Sequence, residues 1–573
     1  MPPTLPNLSA KRALDALDLE LFRASTTSVV DEIEVNLSRT AYSPLVYEYK
    51  DYCVAWLTRD CLLLTQSRGS LPIFLSDLGP PVKDAVDTIG KSRMRPGDVF
   101  LTNFAAVAGQ HLNNVVTARP VFEAGDLAGY IAIRAHWADL GGLVPGSISW
   151  DARDIYQEGI QFRGLRVVRD DELEREVVAT IQANTRMPEY VLGDLMAQIA
   201  GCRIGERRWR ERVLSRWSME QLQRLTELQW ETSEALARHA IRELPDGRYS
   251  ANASLDDDGL HLHNPLPIRL GVEIAGDEFK VDLSALPPQT VTPMNTGRMG
   301  GAMSAVRVAF KSLLAPDQPA DEGLFAPLTV DIPDGTMLSA APDAPMGHWY
   351  NALPTVIDLV MRAVGEGAAG RVPAGHHATM GVFMFYGQRP DGSWWQLIDT
   401  IPGGWGGSSD SDGGGPFKTM FHGDNRDVPV EVLEARYPLR VEKYSFRPDS
   451  AGAGKYRGGF GTEKVLRVVS PAFLETAMDR TLDPPWGLNG GQPGVAGSID
   501  VRLSPDEEWM RATRATRLEL PPGAVVRIRS SGGGGWGSPQ ARHADAVHRD
   551  QRGGLVSPDP AIVVPRGGEA RVL

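Results

Sequence analysis

Cysteine is scarce: Cys53, Cys61 and Cys202 are the only three in 573 residues. They are too few and too scattered for a disulfide framework or a Cys-based zinc module, and none forms a C-x-x-C pair. A reducing, cytoplasmic setting is the expectation. Basic charge is also in deficit, with 59 Lys and Arg against 72 Asp and Glu and a net charge of −13. The chain therefore exerts no long-range attraction on phosphate backbones or anionic lipid, which disfavours nucleic-acid and membrane partners. No stretch approaches the roughly 18 apolar residues needed to span a bilayer. Residues 1–12 lack the apolar h-region of a signal peptide, so no secretion is expected. Two catalytic signatures are missing as well. No G-x-S-x-G elbow is present to anchor Ser-His-Asp hydrolysis. The glycine-rich Gly-Lys run, Gly452-Ala453-Gly454-Lys455-Tyr456, has Tyr456 where a phosphate loop needs Ser or Thr. We read that run as a tight β turn.

Glycine (60) and proline (42) are plentiful, which points to many ordered turns. The length suits about three to five domains. Phe22, Val29, Val30, Ile33 and Leu37 recur at helical spacing until Pro44, predicting an amphipathic opening helix packed on a sheet. Pro188 opens a helix with Leu192, Leu195, Met196 and Ile199 on one face, and Ser218 with Gln221 forms a capping box for the next. The acidic Asp256-Asp257-Asp258-Gly259 run suggests a boundary after these helices, followed by alternating strands and helices. From Val428 strand-length segments alternate with glycine turns. The expected class is α+β and multidomain, with mixed sheets, packed helices and a β-rich C-terminal third. The expected segments are 1–245, 246–427, 428–538 and a mobile tail, 539–573.

Between Val115 and Ala135 two β-rich runs flank Glu123-Ala124-Gly125-Asp126, an antiparallel hairpin. If the turn centres on Ala124 and Gly125, paired positions sum to about 249, placing His111 opposite Ala138 and His136 opposite Asn113. Two imidazoles thus converge at one end of one hairpin beside Asp139, where they could hold a divalent first-row ion. A hydrogen-bonded structural role is the plainer alternative. The pairs His376-His377 and His261 with His263 lack carboxylates at ligand spacing and are read as surface or packing groups. Cys53 and Cys202 are read as buried, inert thiols.

Several segments together resemble the hydantoinase B/oxoprolinase family. They are Leu37-Ser38-Arg39-Thr40-Ala41-Tyr42-Ser43-Pro44, Tyr49-Lys50-Asp51-Tyr52, Gln110-His111-Leu112, Arg134-Ala135-His136, Gly193-Asp194-Leu195, Pro429 to Leu439 and Gly454 to Gly459. The likeness runs in order from about residue 19 to 537. It implies a B-type subunit that works with a separate ATP-using A-type subunit. The implied reaction is ATP-dependent opening of a cyclic amide such as a hydantoin or 5-oxoproline, or ATP-dependent carboxylation of a ketone such as acetone or acetophenone. It also implies a divalent metal, Zn or Mn, held by positions that carry over to Asp51, His111, Asn114 and His136. Asn114 stands where the family pattern has aspartate, and Phe104 replaces a second carboxylate in Asn103-Phe104-Ala105-Ala106. An amide oxygen is a poorer ligand than a carboxylate. These changes bring a ketone substrate, or a catalytically silent scaffold for the A-type partner, into view.

An unactivated lactam or ketone is a poor electrophile, and with no phosphate loop here the partner must phosphorylate its oxygen. The B-type chain would bind the activated molecule at the hairpin base. The metal or His136 would polarise an oxygen there, with Asp51 or Asp139 as proton acceptor.

Overall fold

The computed structural model describes residues 14–423, 425–557 and 571–572. The N-terminal stretch and residues 558–570 of the expected tail lie outside the described residues.

The opening helix forms as its spacing predicts, Ala16–Thr40, capped by Asp15 in a reciprocal box with Asp18. Its apolar stripe, Phe22 to Leu37, is buried. It packs beside helix Pro188–Trp209 and against a seven-stranded antiparallel sheet. Gly205 permits this approach, since a Cβ there would sit 2.5 Å from Ile33 Cδ1. The sheet comprises β1 (Tyr52–Thr58), β2 (Leu63–Gln66), β3 (Val99–Thr102), β4 (Asn114–Glu123), β5 (Asp126–His136), β6 (Leu165–Arg169) and β7 (Glu172–Leu173), in the order β2-β1-β5-β4-β3-β6-β7. The Ser218–Gln221 capping box opens helix Met219–Arg242.

The β4–β5 hairpin turns on Ala124 and Gly125, both at positive φ, as a two-residue loop requires. Near the turn Phe122 pairs with Leu127 and Glu123 with Asp126, the expected sum of 249. Beyond it Val121 pairs with Gly129, so Ala128 is bulged out and every later pair sums to 250. His136 therefore faces Asn114, not Asn113. His111 lies in a turn ahead of β4 rather than opposite Ala138. With a two-residue side-chain period, one bulged residue decides which asparagine shares the histidine's face.

Three further sheets follow. Gly247–Leu255, Leu266–Ala275, Glu278–Asp282 and Leu328–Asp331 form one, covered by helices Ser304–Leu314 and Leu353–Ala368. Val382–Gln388 and Trp394–Thr400 pair with each other, and Val382–Gln388 also pairs with Ala472–Ala477. That sheet spans the expected division at 427/428. The last sheet gathers Leu439–Phe446, Thr462–Val468, Val525–Arg529, Ser498–Arg502 and two short strands. One apolar core runs continuously from Phe22 to Phe421, so the acidic run at Asp256 separates sheets but not cores. The remaining buried apolar groups cluster separately between Phe383 and Ile528. Residues 539–557, expected to be mobile, carry helix Ala544–Arg552, whose Asp550 accepts from Arg457 and Arg542.

The glycine run at 452–461 is no tight turn. It is a wider loop, closed by Gly458 N donating to Gly452 O (2.9 Å) and set between two other glycine segments: Gly459 N donates to Trp405 O (2.7 Å), Gly533 N to Gly459 O (2.9 Å) and Gly452 N to Gly533 O (2.8 Å). Backbone packs directly on backbone. A Cβ at Gly533 would lie 2.0 Å from the Trp405 carbonyl oxygen. Gly533→Ala is therefore expected to lower stability by about 1–3 kcal/mol or more, read as an earlier thermal unfolding transition.

Candidate active site

Sheet order places three of the candidate residues in a row. His136 ends the central strand of the trio β1-β5-β4. Asn114 faces it across β4, and Asp51 immediately precedes β1, with His136 N donating to Asp51 O at 3.1 Å. His111 joins from its turn, and the two imidazole centres stand 4.8 Å apart, edge to face. All four residues line one cavity of about 30 Å³. The rest of its wall is mostly apolar: Leu45, Ile73, Phe74, Ile148, Trp349 and Met380 among others.

Burial dominates the electrostatics. It pushes the Asp51 carboxyl up to about 7, against the lowering pull of Arg134. It brings His111 down to about 4, opposed by the adjacent Asn114 amide, and holds His136 well below its ordinary value, reinforced by His111 beside it. Both imidazoles are thus neutral near pH 7, the form that binds metals. Glu158 is buried and raised to about 8 despite accepting from Gly347 N and Met346 N, both at 2.7 Å. It fixes the loop whose Gly347 carbonyl lies 3.4 Å from His111 Nδ1.

The donor chemistry fits a divalent first-row cation. Asp51 Oδ1, Asn114 Oδ1 and His136 Nδ1 are buried with no protein partner, beside a second neutral imidazole. Among the described residues, however, no three His, Cys, Asp or Glu side chains form a closed metal cluster. The constellation suits an ion by its ligand types rather than by a preformed cage.

The fold does not bring Asp139 to the cavity wall. Its carboxylate accepts from Arg186 N and Nη1, Gly146 N and Thr185 Oγ1, and is ion-paired with Arg186. That carboxylate clasps the 139–147 loop, so the expectation of a proton acceptor at Asp139 is replaced by a structural role. Conversely, three residues that line the cavity escaped sequence reasoning: Tyr49, Tyr350 and His422. His422 Nδ1 lies 3.4 Å from Tyr49 OH, and burial with Lys418 nearby pushes its imidazole down to about 3. It follows a glycine-serine loop whose composition carries no signal of a site. Tyr49 stood within the Tyr49-Lys50-Asp51 segment and could have been flagged.

The remaining histidine candidates take packing or surface positions, but His261 and His376 do meet carboxylates, contrary to expectation. His261 is exposed and bonds Asp258 (2.7 Å). His376 is buried against Asp358, a carboxylate from helix Leu353–Ala368 that sequence spacing did not reveal. All three thiols are free and buried, Cys53 and Cys61 raised to about 12 and Cys202 to about 11 by burial, which keeps them unreactive.

With this geometry in hand, comparison with known proteins gives a consistent result. The chain belongs to the hydantoinase B/oxoprolinase family, which it matches over residues 15–539. Caprolactamase subunit beta of Pseudomonas jessenii is 30% identical over 571 residues, covering 96% of this chain and 95% of that one. The crystal structure of ATP-dependent caprolactamase from Pseudomonas jessenii superposes with a TM-score of 0.85 at 28% identity, covering 97% of this chain and 98% of that one. Nucleotide-free acetone carboxylase gives a TM-score of 0.86 at 18% identity over 94% of this chain and 78% of that one, a likeness of fold. No helix among the described residues is long and apolar enough to cross a membrane.

Proposed function

We propose that this chain is the B-type subunit of an ATP-dependent complex that opens a cyclic amide after an A-type partner has activated it. The observation that carries this reading is Asp51, a buried carboxylate whose pKa is raised to about 7, beside two neutral imidazoles in a mostly apolar cavity. A base titrating near 7 is matched to taking a proton from water at neutral pH. The mostly apolar wall excludes bulk water and strengthens every polar contact within. Similarity to caprolactamase subunit beta along nearly the whole chain supports the amide-opening reading over ketone carboxylation.

In this reading His111, Asn114 and His136 would hold a divalent cation, Zn or Mn, and Asp51 beside them stays free to act as the base. When bound, the cation supplies Lewis-acid polarisation of the substrate oxygen. Asp51 accepts the proton of the attacking water. ATP is used by the partner, since the 573 residues hold no Walker motif.

The test is reconstitution with an A-type subunit and measurement of ATP turnover against lactams, 5-oxoproline, hydantoins and ketones with and without bicarbonate. Lactam-stimulated turnover independent of bicarbonate is expected. Turnover requiring both ketone and bicarbonate would establish the carboxylase reading. The isolated chain is expected to show no ATP hydrolysis, and robust turnover by a preparation free of A-type subunit would refute this division of labour.

A further inference from the structure

Asn114 lines the cavity beside the two imidazoles, and an amide, unlike a carboxylate, has two unlike ends. Its oxygen can face a cation, whereas its NH₂ cannot, and the two ends have nearly the same shape. Something must therefore select the end presented to the cavity. A buried relay does so.

Asn114 Nδ2 donates to Gln110 Oε1 at 3.0 Å. Gln110 Nε2 donates in turn to Asp77 Oδ2 (2.8 Å) and to the Gly300 carbonyl (3.1 Å). Asp77 is ion-paired with Arg134, and both side chains are excluded from solvent. The polarity runs one way only. A carbonyl and an ion-paired carboxylate can only accept, so Gln110 must turn its NH₂ towards them and its oxygen towards Asn114. Asn114 must then spend its NH₂ on Gln110. Its Oδ1 is left buried, with no well-formed hydrogen bond and the His111 imidazole beside it, in a residue that lines the cavity.

We propose that Gln110 is a positioning residue that locks the Asn114 amide with its oxygen towards the cavity, making this asparagine a matched oxygen donor for the cation. The proposal rests on the reading that the cavity holds a divalent cation. It also bears on a catalytically silent scaffold, which would have no use for such an orientation. The relay is built for an amide. With aspartate at position 114, Gln110 Oε1 would confront a carboxylate oxygen, acceptor against acceptor, unless Gln110 gave up Asp77 and Gly300.

The experiment is direct titration of the metal-stripped full chain with Mn²⁺, by calorimetry or by the electron paramagnetic resonance of free Mn²⁺, without reference to turnover. Gln110→Met keeps the side chain's length and removes the lock, and is expected to weaken Mn²⁺ binding about tenfold, as removing an orienting partner of a ligand typically does. In the Asn114→Asp background the two carboxylate oxygens are equivalent and need no orienting. There Gln110→Met is expected to leave affinity unchanged or improve it. Equal weakening by Gln110→Met in both backgrounds would reduce Gln110 to a packing role and overturn the lock alone. A parent chain that binds neither Mn²⁺ nor Zn²⁺ would overturn the cation reading itself and the lock with it. Gln110→Leu replaces Gln110→Met if thermal unfolding shows the latter to be misfolded.

Discussion

Asp51→Asn is expected to abolish lactam-dependent turnover in the reconstituted complex, lowering kcat by about 10²–10⁴, while raising the stability of the isolated chain at neutral pH. Both effects have one cause. Burial lifts the Asp51 carboxyl to about 7, so the parent's activity should rise with pH through a midpoint near 7 as the base becomes ionised. The stability effect has the opposite sign. Folding favours the protonated form, so between the ordinary carboxyl value near 4 and about 7 the folded state binds a proton the unfolded state has released. Stability of the metal-free chain therefore falls as pH rises through that window. The substituted amide cannot ionise, so the variant should lose this dependence and be the more stable protein above pH 7. Thermal unfolding of the metal-free chain between pH 5 and 8, beside a pH–rate profile of the complex, checks both. A variant that retains activity would show that Asp51 is not the proton acceptor.

Asp399→Ala is expected to destabilise the fold by about 3–5 kcal/mol, because it leaves a buried ammonium short of its counter-charge. Lys464 Nζ lies 2.9 Å from Asp399 Oδ2 and 3.5 Å from Asp427 Oδ2, with Lys464 1% and Asp399 0% exposed. Lys418 pairs with both aspartates, so two cations and two anions balance within one buried cluster. The loss should appear as a fall in the unfolding temperature on the order of 10 °C. Asp399→Asn, which keeps one hydrogen-bond acceptor, should do less harm. The cluster also reaches the site. Lys418 donates to the Thr400 hydroxyl (2.9 Å), which lies 3.1 Å from Tyr49 OH on the cavity wall. Asp399→Ala in a chain that still folds should therefore loosen the wall that Tyr49 and His422 form.

Local and medium-range patterns in the sequence determined much of this protein. The apolar stripe of Phe22 to Leu37 fixed the opening helix, the Ser218–Gln221 box began helix Met219–Arg242, and Ala124-Gly125 between two β-rich runs fixed the hairpin that gathers His111 and His136. Those features depend on neighbours a few residues apart, where hydrogen bonding and periodicity act directly. Tertiary structure decided the rest. A single bulge at Ala128 moved Asn114 to the face of His136, a one-residue choice that strand patterning does not encode. Arg186, forty-seven residues away, took the Asp139 carboxylate for a loop clasp. His422 and Tyr350 reached the cavity from distant loops, and Ala472–Ala477 joined a sheet begun at Val382 across an apparent boundary. The upward shift of Asp51 also belongs to the fold, because burial raises a carboxylate's pKa by removing its water, and the wall that buries Asp51 includes Ile73, Trp349, Met380 and Ile398 from distant segments.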